Sequence, residues 1–216
     1  MGRRRAASIA GWLAAAWALL VPLVGSIGIE YSHRAQYISE LGARGAPHGA
    51  VVSLLGFGIN GLLVFAFLAL AWPFLATGRS SATGLVLFAG VGVAYLIAAF
   101  FRCDAGCPSE GSLSQTIHGY SGLFEYVGSL VGLPLVAIAL WRAPGWRGAA
   151  LSTLGCGILV GIGFFGMLQL SLQEQRGLSQ RIAELGIFAW IAMVSFLLAR
   201  RQRVAAVVPM GASRHG

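Results

Sequence analysis

Three runs without a charged residue, 6–29, 80–101 and 148–173, are what any fold of this 216-residue chain must accommodate. A helix rises 1.5 Å per residue, so about 20 apolar residues cross the ~30 Å hydrocarbon layer of a bilayer. Each run is long enough. One soluble core of this size could not hide them all, because 57% of the residues are hydrophobic and only 10% are charged.

Three further spans carry polar residues near their ends. Pro47 precedes the second, the fourth accepts Glu125, and the sixth accepts Arg181 and Glu184 in its first two turns. The expected fold is therefore all-α: one polytopic membrane domain over 1–203, with six transmembrane helices near 6–29, 50–74, 80–101, 114–141, 148–173 and 179–199. A disordered cytoplasmic tail is expected over 204–216. The first run follows Arg3–Arg5 as a secretory signal would, but its 24 residues exceed the usual 7–15. It reads as an uncleaved span, bent near Pro22.

Orientation follows from arginine, since all 15 basic residues are Arg and basic residues near span ends favour the cytoplasm. With the N-terminus inside, Arg3, Arg4, Arg5, Arg79, Arg142, Arg147, Arg200, Arg201, Arg203 and Arg214 are cytoplasmic, and Arg34, Arg44, Arg102, Arg176 and Arg181 remain outside. The acids all fall outside or in the outer half of a span. This N-in/C-in arrangement implies a multi-pass protein of the plasma membrane, read as bacterial. The net charge of +8 is then a topology signal, and nothing supports a nucleic-acid partner.

The stretch Phe101–Glu125 is the densest cluster of reactive side chains. Cys103 and Cys107 form a C-x3-C pair in an oxidising compartment, which favours a disulfide; zinc binding and free thiols are the alternatives. His33, His48, His118 and Asp104 also fall on the outer side, either as a zinc set with an open position or as interfacial residues bonded to loop backbone. No cofactor is required by the sequence. Ser112-x-x-Gln115 fits a helix-capping box. Below it Gln115, His118, Gly122, Glu125 and Ser129 share one helical stripe that must face the bundle.

A charged carboxylate in hydrocarbon costs at least about 2.5 kcal/mol, so Glu125 must be protonated, hydrated or paired. Arg181 is the nearest candidate by estimated depth to compensate it, on another helix that enters from outside. Asn60 and the Arg181/Glu184 pair can reach the same chamber; interhelical glue and a structural ion pair are their plainer roles. Gly128/Gly132 and Gly157/Gly161 have the G-x-x-x-G spacing of close helix packing.

The segment ISELGA at Ile38–Ala43 with Pro47 after it, Cys103-Asp104 after span three, His118 opening span four and the stretch Gly177–Arg181 together resemble one family. It is the multi-span membrane family called domain of unknown function 998, and the resemblance covers nearly the whole chain. Arg102 stands where that family usually has proline. The resemblance brings no activity, but it implies Ser39, Glu40, Cys103, Asp104, His118 and Arg181 as site residues.

Two functions follow from this reading. One is a binding or transport protein whose outward-facing polar chamber receives a lipid or small polar ligand, through Ser39, Glu40, Asn60, Arg181 and Glu184. The other is an outward-facing lipid hydrolase or transferase using His118 and Asp104 as base and orienter, or as zinc ligands, with Glu125 a further catalytic candidate. The lipid bilayer is the partner certain to be met, and the sequence does not set the oligomeric state. Single cysteines at Ser80 and Gly145, in a cysteine-free background, are expected to resist impermeant thiol reagents in intact cells, whereas one at Ser109 should react. Labelling of the first two would overturn the orientation.

Overall fold

The computed structural model describes residues 2–207, with side chains described as far as Arg201 except for Leu170. Six helices are long and apolar enough to cross a membrane. We number them α1 (Arg3–Gly25), α2 (Gly49–Leu75), α3 (Arg79–Phe100), α4 (Leu113–Arg142), α5 (Arg147–Leu168) and α6 (Arg176–Val207). The expected all-α, six-span polytopic fold is the fold observed.

The ends of α1, α5 and α6 differ from expectation, and α6 runs on as helix to Val207, into the expected tail. Helix α1 stops at Gly25, four residues early, where the chain turns through Ile27 and Gly28. Helix α5 stops at Leu168, and a 3-10 segment, Leu170–Gln175, replaces its last turn and leads into α6. A charge-free run sets the longest helix lipid allows, whereas local turns decide where it ends. Most of the tail expected at 204–216 lies outside the described residues.

Consecutive helices pack side by side and α6 closes back on α1, so the six form a ring. The segments 26–48, 101–112 and 169–175 bond to one another at one end: the Arg44 amide donates to the Cys103 carbonyl, and Arg176 reaches Ala35 and Gly106. At the other end Arg3 donates to the carbonyls of Ala69 and Leu70, Arg4 lies over Phe74, and Arg201 stacks on Trp146 at 3.7 Å. We call these the loop end and the arginine end.

Trp190 of α6 fills the middle of the ring. It is fully buried, 4.5 Å from Phe88 of α3 and 6.2 Å from Phe67 of α2 between ring centroids, and its indole N–H donates to Thr153 of α5. Tryptophan suits this position because the ring fills a large volume while its polar edge finds a partner. Helix α2 opens with a π-helical stretch, Val52–Gly58, and the indole of Trp17 on α1 donates to the carbonyls of Leu55 and Gly56 within it. In lipid such carbonyls need a protein donor.

Gly128 and Gly132 let α4 approach the backbone of α3 at Leu87 and Gly84, in the manner their spacing predicts. Helices α5 and α6 approach backbone to backbone, so a Cβ on Gly163 would run into the backbone of Ser179 and Ala183. Gly163→Ala should therefore cost roughly 1–3 kcal/mol, the usual penalty of overpacking. Gly155→Ala, which meets nothing within 4 Å, should be neutral. Thermal unfolding of the two variants in detergent is the measurement; equal stability would mean that α5 and α6 are not held at this distance.

Candidate functional site

Below the loop end lies a partly open cavity of about 350 Å³, bordered by every helix except α1. The stripe on α4 points into it: Gln115, His118, Gly122 and Glu125 line the wall, and Ser129 is buried one turn below Glu125. The other walls come from Ser39 in the first loop, Tyr95 of α3, Phe164 of α5, and Gln180 and Glu184 of α6. Helix α4 begins as its capping signal predicts, because the Ser112 hydroxyl accepts the Gln115 amide. The Gln115 side chain does not reach back to Ser112. It accepts the Asp104 amide and donates to the Pro108 carbonyl, so it staples the third loop to the helix.

Two carboxylates lie at the bottom, and they are held differently. Glu184 is 9% exposed and accepts from two phenols, Tyr126 at 2.7 Å and Tyr95 at 3.0 Å. Gln180 then donates to the Tyr126 oxygen and accepts the Ile38 amide, which carries the network up to the first loop. Glu125 is 5% exposed, and its Oε1 has no hydrogen-bond partner. Nor do both amide atoms of the fully buried Asn60 or the hydroxyl of Ser129. Buried polar atoms are paired in the great majority of cases, so the unpaired Oε1 of Glu125, which lines the cavity, calls for an explanation such as a bound ligand or water.

Arg181 does not compensate Glu125, contrary to expectation. Its guanidinium is used at the loop end, donating to the carbonyls of Gln36 and Gly177, to the Tyr31 hydroxyl at 2.7 Å and to His33 Nδ1 at 2.9 Å. Partial burial, and then the adjacent guanidinium, hold the His33 imidazole below its usual pKa. Carbonyls of a long loop are strong competitors for an arginine, and loop contacts are not visible in helical spacing. Glu40 is likewise engaged in structure: it pairs with Arg176 at 3.0 Å and accepts from Gln36 and from the Tyr37 amide. Arg102 binds the carbonyls of Gly42 and Ala43, so this arginine ties ISELGA to the end of α3.

The four residues weighed as a zinc set are not brought together. His33 faces Arg181, His48 borders a separate groove between α1 and α2, His118 Nδ1 donates to the Phe101 carbonyl, and Asp104 accepts from the amide and hydroxyl of Ser112. Among the described residues no group of three His, Cys, Asp or Glu side chains converges as a metal site would require. The same contacts leave His118 and Asp104 with other partners, so they do not form a base-and-orienter pair. Cys103 and Cys107 stand at disulfide distance, with Cα atoms 5.1 Å apart, across a turn in which Gly106 and Cys107 both adopt positive φ.

Tyr95, Tyr126 and Gln180 were missed from the sequence. Tyr95 carried a signal, being the lone hydrogen-bonding side chain between Thr83 and Arg102. Tyr126 and Gln180 each adjoin a residue that was singled out, Glu125 and Arg181.

The fold and this interior define an all-helical multi-pass membrane protein with ionisable groups inside its bundle. The family described as "Protein of unknown function (DUF998)" matches residues 8–197, and the chain belongs to it. No curated protein and no solved structure matches the chain.

The Ser112 amide, then its hydroxyl, and finally the charge of Arg44 hold the Asp104 carboxyl below its ordinary value of 3.8. A depressed carboxyl contributes stability above its unfolded pKa and loses it as pH falls through the native one. Acidification below about pH 4 should thus lower the melting temperature of the wild type by more than that of Asp104→Asn. Identical acid profiles would remove Asp104 from this role.

Proposed function

We propose that this is a plasma-membrane protein, with both termini in the cytoplasm, whose outward-facing chamber binds a lipid or small polar ligand. The observation that carries the reading is the unpaired carboxylate of Glu125 at the bottom of the 350 Å³ cavity. That volume is near the lower end of the ~300–1,000 Å³ of small-molecule sites. An ionisable group inside a membrane bundle without a protein partner is a functional-site signal, because lipid alone cannot solvate it. The orientation rests on the arginine asymmetry. Glu184, Ser39 and His118 serve as lining groups in this reading, whereas Arg181 and Glu40 shape the loop end that roofs the chamber.

Gly122 provides the test, since it lines the cavity and a Cβ added there would meet nothing within 4 Å. Wild-type protein purified in mild detergent should retain a small molecule or lipid that native mass spectrometry resolves as a discrete mass increment. Gly122→Leu should lose it while its unliganded melting temperature stays within about 2 °C, as for a substitution in open space. Retention of the same molecule by Gly122→Leu would sink the proposal.

A further inference from the structure

The cavity contains two carboxylates, and among the described residues no guanidinium forms a hydrogen bond or ion pair with either. His118 is the one basic side chain among its described lining residues, and its Nδ1 is committed to the Phe101 carbonyl. The nearest guanidiniums face elsewhere: Arg181 is held by Tyr31, His33 and two carbonyls, and Arg176 by Glu40. Both oxygens of Glu184 accept phenolic protons, an arrangement that favours an acceptor held in place. Oε1 of Glu125 still lacks a donor.

The walls above these acids are aromatic. Phe57 and Tyr95 meet edge to face at 6.0 Å between centroids, and Tyr126 stacks on Phe164 at 5.9 Å. All four line the cavity. Aromatic faces attract ammonium groups through the ring quadrupole, and the attraction strengthens where water is excluded. An anionic ligand would meet two acidic groups, and a neutral one would offer an ionised Glu125 no counter-ion.

We propose that the chamber binds an organic ammonium group, with Glu125 as its counter-ion and Phe57, Tyr95, Tyr126 and Phe164 as its aromatic cage. The inference rests on the ligand-binding reading of the same cavity and specifies the ligand class. The ammonium can belong to a lipid headgroup or to a free amine. Helix α4 leaves backbone bare at Gly119 and Gly122 along the wall, with α5 contributing Met167 and Leu168, so a headgroup and a soluble cation both find unfilled space there.

The test uses the full chain in nanodiscs of phosphatidylglycerol, titrated with choline, ethanolamine and the uncharged choline isostere 3,3-dimethylbutanol. One or both amines should raise the melting temperature of the wild type, the isostere should not, and Glu125→Gln should abolish the shift. Phe164→Leu should weaken ammonium affinity about fivefold, the order expected of one aromatic face. That variant keeps the test decisive should Glu125→Gln fail to fold. In nanodiscs holding equal phosphatidylethanolamine and phosphatidylglycerol, native mass spectrometry should find the amine lipid retained if the headgroup is the source. Stabilisation by free amines with no lipid preference would assign a soluble cation.

The inference is overturned if neither amine headgroups nor free amines bind, or if the isostere binds as well as choline. Retention of a neutral or anionic molecule that Gly122→Leu abolishes would end the ammonium assignment and leave the ligand-binding reading standing. If nothing is retained and no amine shifts the melting temperature, both fail together.

Discussion

A carboxylate inside a membrane bundle has to be surrounded by hydrogen-bond donors or exposed to something that is not lipid, and Glu184 meets the first condition. Its two oxygens take the hydroxyls of Tyr95 and Tyr126, which joins α3, α4 and α6 at one point. Through Gln180 the same network reaches the Ile38 amide and ties the first loop to the bundle. Removing either phenol would leave a buried acceptor bare, which costs more than the bond contributes when made. Arrangement of the cavity walls therefore depends on this carboxylate.

The loop end is built on the same economy of arginine and carbonyl. Arg102, Arg176 and Arg181 each cross from one segment to another, and their donors are taken mostly by backbone oxygens. Planar guanidinium groups with several donors can satisfy carbonyls of two segments at once, which a lysine ammonium does less well. These bonds add to the apolar cluster of Ile38 and Leu41 with Val52 and Phe57 in holding the first loop on the bundle. They also explain why Arg181 does not line the cavity: Tyr31, His33 and two carbonyls take its donors. The exposed Arg44–Asp104 pair at 3.9 Å adds little by comparison.

Glu125 stands apart from this pattern. It shares a stripe with His118 and lies near Glu184, yet the tyrosines that serve Glu184 do not serve it. The amide of the fully buried Asn60 is similarly unpaired. Polar atoms left over inside a bundle that holds a fully bonded carboxylate mark where the protein's own donors run out.

Much of this was legible in the chain itself. Apolar runs, three of them free of charge and three with polar residues near their ends, determined the number of spans, because helix length in lipid follows from a rise of 1.5 Å per residue and the need to pair every backbone group. Helical spacing determined that Gln115, His118, Gly122 and Glu125 share a face, and the serine at 112 determined where α4 starts. Tertiary structure alone decided the partners. Spacing along one helix says nothing about which of several donors from other elements arrives first, so Arg181 went to the loop carbonyls, Glu40 to Arg176, and the phenols to Glu184 rather than Glu125. The histidines and Asp104 stayed apart for the same reason: residues on one side of a membrane need not converge, and only the packing of six helices decides which of them meet.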